Sequence, residues 1–233
     1  MIRTDALIKT YKKSFTLDIP DLTVPQNTIF GLVGNNGAGK TTFLRLALDL
    51  IEATSGTVYS KDQPVARKEE WKAYTGSYLD PSFLIDFLTP EEHFEFVAEA
   101  YGLNGQLPQR LERFDTFFNG QILGLGKKYI RELSAGNKQK VGIAAAMLID
   151  PEVLILDEPF SNLDPTSQIR LKKLLTEMNQ RLGTTMIISS HDLSHISEVC
   201  TRIAILANGK IVRDMPKNDT TLAELRDYFE PKD

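Results

Sequence analysis

The sequence is short of several things, and each shortage closes off a class of protein. Only one cysteine, Cys200, occurs among 233 residues, so neither an intrachain disulfide nor a set of zinc-spaced cysteines is available. That suits a reducing compartment, and the apolar setting "SEVCTRIAIL" gives Cys200 an expected place in a core. Positive charge is not in excess: 27 Lys and Arg stand against 31 Asp and Glu, a formal net charge of −4. No basic stripe is present to neutralise a phosphate backbone, which argues against nucleic acid as a partner. Long apolar runs are missing as well. The longest, such as 141–149, fall well short of the ~20 residues that span a bilayer, and "MIRTDALIKTYKK" turns polar too soon for a secretory leader. The expectation is a chain that does not cross a membrane by itself. No repeat or low-complexity segment occurs.

What the sequence does have is enough apolar residue, 42%, with 25% charged, to bury a full core. Residues 2–33 read as short strands with β-branched and aromatic residues at near-alternate positions and Pro20 and Pro25 as edges. From Thr41, "TTFLRLALDLIEA" has the apolar spacing of a helix, and "SGTVYS" returns to strand through a glycine turn. Thr89, Pro90 and Glu92 form the start signal of a helix: an N-cap, a first-turn proline and the acid of a capping box. Helices dominate from there to about 149. Afterwards "EVLILDE", "TTMIISS" and "RIAILANGKIV" read as strands, with "PTSQIRLKKLLTEMNQRLG" as a helix between the first two, which argues for a parallel sheet. Asn208-Gly209 marks a hairpin turn. With "GLVGNNGAGKTT" matching G-x-x-x-x-G-K-[ST] between a strand and a helix, the expected fold is α/β: a P-loop NTPase core with a mainly parallel sheet, an N-terminal antiparallel β layer and an inserted helical subdomain. The chain is read as one soluble domain, with 1–70 and 150–233 as the core and 71–149 as the helical subdomain with the signature helix.

Three stretches carry chemistry. "GLVGNNGAGKTT" matches G-x-x-x-x-G-K-[ST] at Gly34, Gly39, Lys40 and Thr41, between a strand and a helix. Glycines let backbone N–H groups converge on phosphate, Lys40 reaches the β- and γ-phosphates, and Thr41 offers a hydroxyl to Mg²⁺. "VLILDEP" ends a buried strand in two acids; Asp157 is placed to hold Mg²⁺ and Glu158 to polarise or deprotonate an attacking water. "IISSHD" brings His191 to the carboxyl end of another strand, where ligands of parallel sheets bind, so it is a candidate to touch γ-phosphate and orient the water. His93 and His195 are read instead as structural, at solvated helix positions. The aromatics between Phe83 and Phe118 are read mainly as the core of the small lobe, with some available to a partner.

The order of these motifs resembles the nucleotide-binding subunits of ATP-binding cassette (ABC) transporters, and the likeness runs over essentially the whole chain. It includes Tyr11 at the place of the adenine-stacking aromatic, "GNNGAGKT", a switch segment near "SYLDPSF", "LSAGN" as signature, "LILDEP", "SNLDP" as D-loop and "SSHD" as H-switch. The resemblance implies that ATP and Mg²⁺ are held by Tyr11 and by the loop from Gly34 through Asn35, Asn36, Gly37, Ala38, Gly39, Lys40 and Thr41 to Thr42. It implies Glu158, His191 and Lys40 as catalytic residues and Thr41, Asp157 and Asp80 as metal-side residues. It also implies that ATP is sandwiched between two such subunits, homodimer or heterodimer, with Ser134, Gly136 and Asp164 serving the partner's nucleotide. The subunit would drive a separate transmembrane permease from the cytoplasmic face of the membrane. "LSAGNKQKV", with Ala135 and Asn137 in place of the usual Gly and Gln, is closest to the variant of ABC-2-type exporters. Asp80 stands where the family's switch glutamine usually is, and an Asp-Pro turn is its other reading. A soluble ATPase remodelling a protein assembly, such as an iron-sulfur assembly factor, is the alternative function.

Overall fold

The computed structural model describes residues 1–12, 15–103 and 105–230. These fall into two compact units, one formed by residues 1–71 with 185 onward, the other by 72–184.

The first unit contains β1 (Ile2–Tyr11), β2 (Phe15–Ile19), β3 (Thr23–Val24), β4 (Ile29–Val33), α1 (Lys40–Ala47), β5 (Ser55–Ser60) and β6 (Gln63–Pro64) from the first part of the chain. From the last part come β9 (Thr185–Ser190), α7 (Leu193–Val199), β10 (Arg202–Ala207), β11 (Lys210–Pro216) and α8 (Thr221–Phe229). Its strands run in the order β6-β5-β1-β2-β11-β10-β4-β9, with β3 beside β1. β4 pairs in parallel with both β9 and β10, while β1, β2 and β5 form the antiparallel layer. The strand β4, "IFGLV", is buried at every position, which is why it reads as a continuous apolar run rather than an alternating one. Asn208 and Gly209, with φ of +48° and +77°, make the tight turn between β10 and β11 that the dipeptide predicts. Cys200 is buried, and burial pushes its thiol well above the ordinary range, which leaves it an unreactive core residue.

The second unit contains β7 (Thr75–Tyr78), α2 (Pro90–Ala100), α3 (Leu107–Glu112), α4 (Asp115–Phe118), α5 (Ala135–Leu148), β8 (Val153–Leu156) and α6 (Pro165–Leu182). Thr89 caps α2 in a full capping box, accepting from Glu92 N at 3.2 Å while Glu92 Oε2 accepts from Thr89 N at 2.8 Å. Phe94, Phe114, Phe117 and Phe118 are buried, whereas Phe83, Phe87, Phe96 and Tyr101 are exposed, so the lobe's aromatics divide between core and surface. A strand that periodicity did not reveal, β7, pairs in parallel with β8. That pairing accounts for the division at 184/185 rather than near 150: β8 and α6 cluster with β7 instead of with the strands of the first unit.

One reading from sequence is corrected. His93 is not solvated but 5% exposed, because α2 buries Pro90, His93 and Phe94 on one face. His195 likewise keeps only 13% of its side-chain surface, with Nε2 3.6 Å from Asp192 Oδ2.

Candidate functional site

In the first unit the phosphate loop follows β4 and opens into α1. Gly39 stands at φ +111°, a conformation that L side chains rarely adopt, and α1 starts there with no side-chain cap and no acid in its first turn. The first-turn amides and the helix dipole therefore suit an anion, with no acidic side chain in that turn to oppose it. Lys40 is 6% exposed, and its ammonium donates to Gly34 O at 2.6 Å, so the charge is drawn over the loop rather than into solvent. Asn35, Asn36 and Gly37 are exposed, Ala38 is buried, and Thr41 and Thr42 occupy the first turn of α1. The loop is backed by the β10–β11 turn: Gly209 N donates to Ala38 O at 3.0 Å, and Gly209 O accepts from Asp18 N at 2.7 Å. A Cβ on Gly39 would lie 2.8 Å from Phe15 Cζ, so β2 packs directly on the loop. Tyr11, 40% exposed, is the cross-strand neighbour of Phe15, with Lys9 Nζ 5.2 Å from its ring centroid. Tyr11 is thus paired with the residue that packs on Gly39. His191 follows β9 and is exposed; Asp192 next to it caps α7 by accepting from Ser194 N at 2.8 Å.

In the second unit β8 is followed by Asp157, 7% exposed, and Glu158. Glu158 has φ +46°, a left-handed conformation that costs a non-glycine residue about 1–2 kcal/mol. Surrounding contacts hold it there: its carbonyl accepts from Gln139 Nε2 at 2.9 Å, from Ser161 Oγ at 2.8 Å and from Ser161 N at 3.1 Å. Ser134, exposed, caps α5 by accepting from Asn137 N at 3.2 Å. A Cβ on Gly136 would lie 2.5 Å from Asn162 O, so this glycine is required by close approach of the 158–164 segment, whatever it also offers a ligand. Asp164 caps α6 through Ser167 N at 3.0 Å and Ser167 Oγ at 2.5 Å, and these bonds hold its carboxyl below the usual range. Asp80 caps the short turn Pro81–Phe83, accepting from Ser82 N at 2.8 Å, which is the Asp-Pro turn role that "LDPS" suggests.

Sequence reasoning missed three residues that position this second group: Tyr78, Gln139 and Lys140. Lys140 is 2% exposed, with Nζ 3.9 Å from Asp164 Oδ2 and 3.4 Å from Gln121 Oε1; burial lowers its pKa, opposed by Asp164 and reinforced by Arg170. Together with Gln139 it ties α5 to both ends of the 158–164 segment. Tyr78 lies flat against α5, since a Cβ on Gly142 would be 2.1 Å from its ring. The available signal was a lysine and a glutamine within a helix that then shows no polar face: α5 is buried continuously from Gln139 to Leu148.

The ABC transporter family model matches residues 17–161. An ABC transporter ATP-binding protein of Nostoc is 33% identical over 220 residues, covering 91% of this chain and 65% of its own length. The bacitracin transport ATP-binding protein BcrA of Bacillus licheniformis is 34% identical over 221 residues, covering 93% of this chain and 70% of its own. The methionine import ATP-binding protein MetN of Carboxydothermus hydrogenoformans is 34% identical over 217 residues, 91% of this chain and 64% of its own. The chain thus spans about two thirds of the length of such relatives. Among solved structures, an ATP-binding subunit of an ABC transporter superposes with TM-score 0.83 at 27% identity over 98% of this chain and 93% of that one. A dimeric ATP-binding cassette bound to ADP and Pi gives TM-score 0.81 at 23% identity, over 94% and 99%, a likeness of fold. A glycine loop opening an uncapped helix, an acid pair on a pinned turn and this matched span together make the chain a member of the ABC transporter ATP-binding family.

Proposed function

We propose that this chain binds and hydrolyses ATP as the nucleotide-binding subunit of an ABC transporter, pairs with a second such subunit, and drives a separate membrane-spanning permease in the exporting direction. The observation that carries the reading is the end of α1: an uncapped helix start at a φ +111° glycine, with the buried Lys40 ammonium drawn over the loop. Amides from Asn35 to Thr42 and the Lys40 ammonium take the phosphates, and Tyr11 stacks on the base. The donors are of the kind Mg²⁺ takes: Thr41 would offer a hydroxyl from the first unit and Asp157 a buried carboxylate from the second. Among the described residues no cluster of three or more His, Cys, Asp or Glu forms an all-protein cage. When bound, the ion neutralises and orients phosphate oxygens.

Glu158 polarises the attacking water and accepts its proton. His191 contributes by orienting water at the γ-phosphate. Ser134, Gly136 and Asp164 serve the nucleotide of the second subunit, and Asp80 contributes from the metal side. The exposed aromatics Phe83, Phe96 and Tyr101 line a groove in the second unit suited to the permease's cytoplasmic segment. No helix among the described residues is long and apolar enough to cross a membrane. As the subunit that drives a permease, the chain would work on the cytoplasmic face of the membrane. The export direction rests on the "LSAGNKQKV" variant. Magnesium-dependent ATP hydrolysis by the purified chain, and its co-purification with a polytopic membrane protein, test the reading. A chain that hydrolyses no ATP in that complex would overturn it.

A further inference from the structure

The last helix is placed where a terminal helix has no general reason to be. In "LAELRDYFE" the residues Leu222, Leu225, Tyr228 and Phe229 fall on one face at helical spacing, and Leu225 is fully buried. A helix of this length is marginal on its own, so its fold rests on what those side chains touch. Its start is fixed by Asn218, whose Oδ1 accepts from Thr220 N at 3.0 Å and from Thr221 Oγ1 at 2.9 Å. Its body packs on α7, the helix that begins directly after His191. Its end carries Tyr228 and Phe229, edge to face with ring centroids 5.0 Å apart, and Arg213 of β11 lies 5.8 Å from the Tyr228 ring. Those two rings wall a cleft whose other side is Asn35, Asn36 and Gly37 of the phosphate loop and Asn208 of the β10–β11 turn. One short helix therefore packs on α7 and carries its C-terminal rings to the cleft beside the phosphate loop, all within the first unit.

We propose that Tyr228 and Phe229 are positioning residues for the phosphate loop, with α8 tying that loop to the His191 segment. The loop's exposed outer edge, Asn35 to Gly37, belongs to no helix or strand; the β10–β11 turn backs the loop through Gly209 N to Ala38 O, and the ring pair faces its outer edge across the cleft. Removing the rings frees one flank without touching Lys40, Thr41 or any phosphate-facing amide. The consequence for nucleotide rests on the function proposed above; the consequence for the loop does not.

The test compares the full chain with a Tyr228→Ala/Phe229→Ala variant and a ring-preserving Tyr228→Phe/Phe229→Tyr variant. Amide hydrogen exchange is followed without nucleotide, and ATP affinity is measured by titration with a fluorescent ATP analogue. The alanine variant is expected to exchange about tenfold faster in residues 34–39, with β1 and β2 unchanged, and to bind the analogue about three- to tenfold more weakly; the ring-preserving variant should restore both. Unchanged exchange in 34–39, or a rise spread equally over the whole chain, would overturn the proposal by making α8 ordinary terminal packing. If the wild-type chain fails to bind the analogue, the nucleotide reading falls, and the exchange comparison still decides the positioning role.

Discussion

The phosphate loop and the 134–164 segment are built by different means. In the loop, nine consecutive residues supply almost everything: glycine conformations, exposed amides, an ammonium and the helix start. In the other region the polar groups are held by residues far apart in sequence. Gln139 holds the Glu158 carbonyl, Lys140 faces Asp164, Gly136 admits Asn162 O, and Tyr78 lies on Gly142. The first region is a local motif; the second is a packing arrangement that sets where separate groups point. Damage to the first should remove binding chemistry, while damage to the second should misplace groups whose own chemistry survives.

The comparison breaks most sharply at Glu158. Glu158→Gln leaves the pinned backbone and the phosphate loop intact but removes the base, so ATP binding should persist while turnover falls by ~10²- to 10⁴-fold. Steady-state hydrolysis beside equilibrium binding checks this, and wild-type turnover would remove Glu158 from the mechanism. Gly142→Ala tests packing without chemistry. A Cβ 2.1 Å from the Tyr78 ring forces an overpacked helix, which should cost about 1–3 kcal/mol in thermal unfolding, lower hydrolysis and leave affinity at the phosphate loop within about twofold. Equal loss of affinity and turnover would mean the two regions are not separable in this way.

Tyr11→Ala should weaken ATP by ~1–3 kcal/mol, with Tyr11→Trp tolerated, as calorimetric titration would show. The smallest effect concerns acid stability. His93 is buried, its Nδ1 is without a hydrogen-bond partner, and burial lowers its pKa below the ordinary imidazole value of about 6.5. The folded state therefore binds fewer protons than the unfolded one near that pH. Its contribution is fully present above pH ~6.5 and is lost as pH falls below it. Melting temperature should decline through that window in the wild type and less steeply in His93→Met.

This contrast also explains what the sequence disclosed. Gly34, Lys40 and Thr41 were legible because their chemistry is written in adjacent letters, and Thr89 and Asn208-Gly209 because caps and turns are local. Asp157 and Glu158 were legible as a strand end, but the left-handed Glu158 backbone was not, since it is imposed by Gln139 and Ser161 rather than by its neighbours' propensities. β7 was hidden because "TGSY" lacks apolar alternation: Gly76 is there to admit Ala146 O, which a Cβ would approach to 2.0 Å. His93 was misread because a capping box predicts where a helix starts, not which face turns inward.

The central claim is that the first region holds this subunit's nucleotide while Ser134 faces a nucleotide held by a second copy. Gly136 is a poor place to test it, because any side chain there collides with Asn162 O inside the same unit. Ser134 is better: Asp and Asn both cap helices as serine does, but only Asp brings negative charge to the phosphate. Light scattering, with and without ATP, should follow Glu158→Gln alone and combined with Ser134→Asp or Ser134→Asn. The account predicts that ATP doubles the mass of the single variant and of the Asn combination, and leaves the Asp combination monomeric. With the Glu158→Gln chain dimeric in ATP, an Asp combination that dimerises as readily as the Asn one would contradict it.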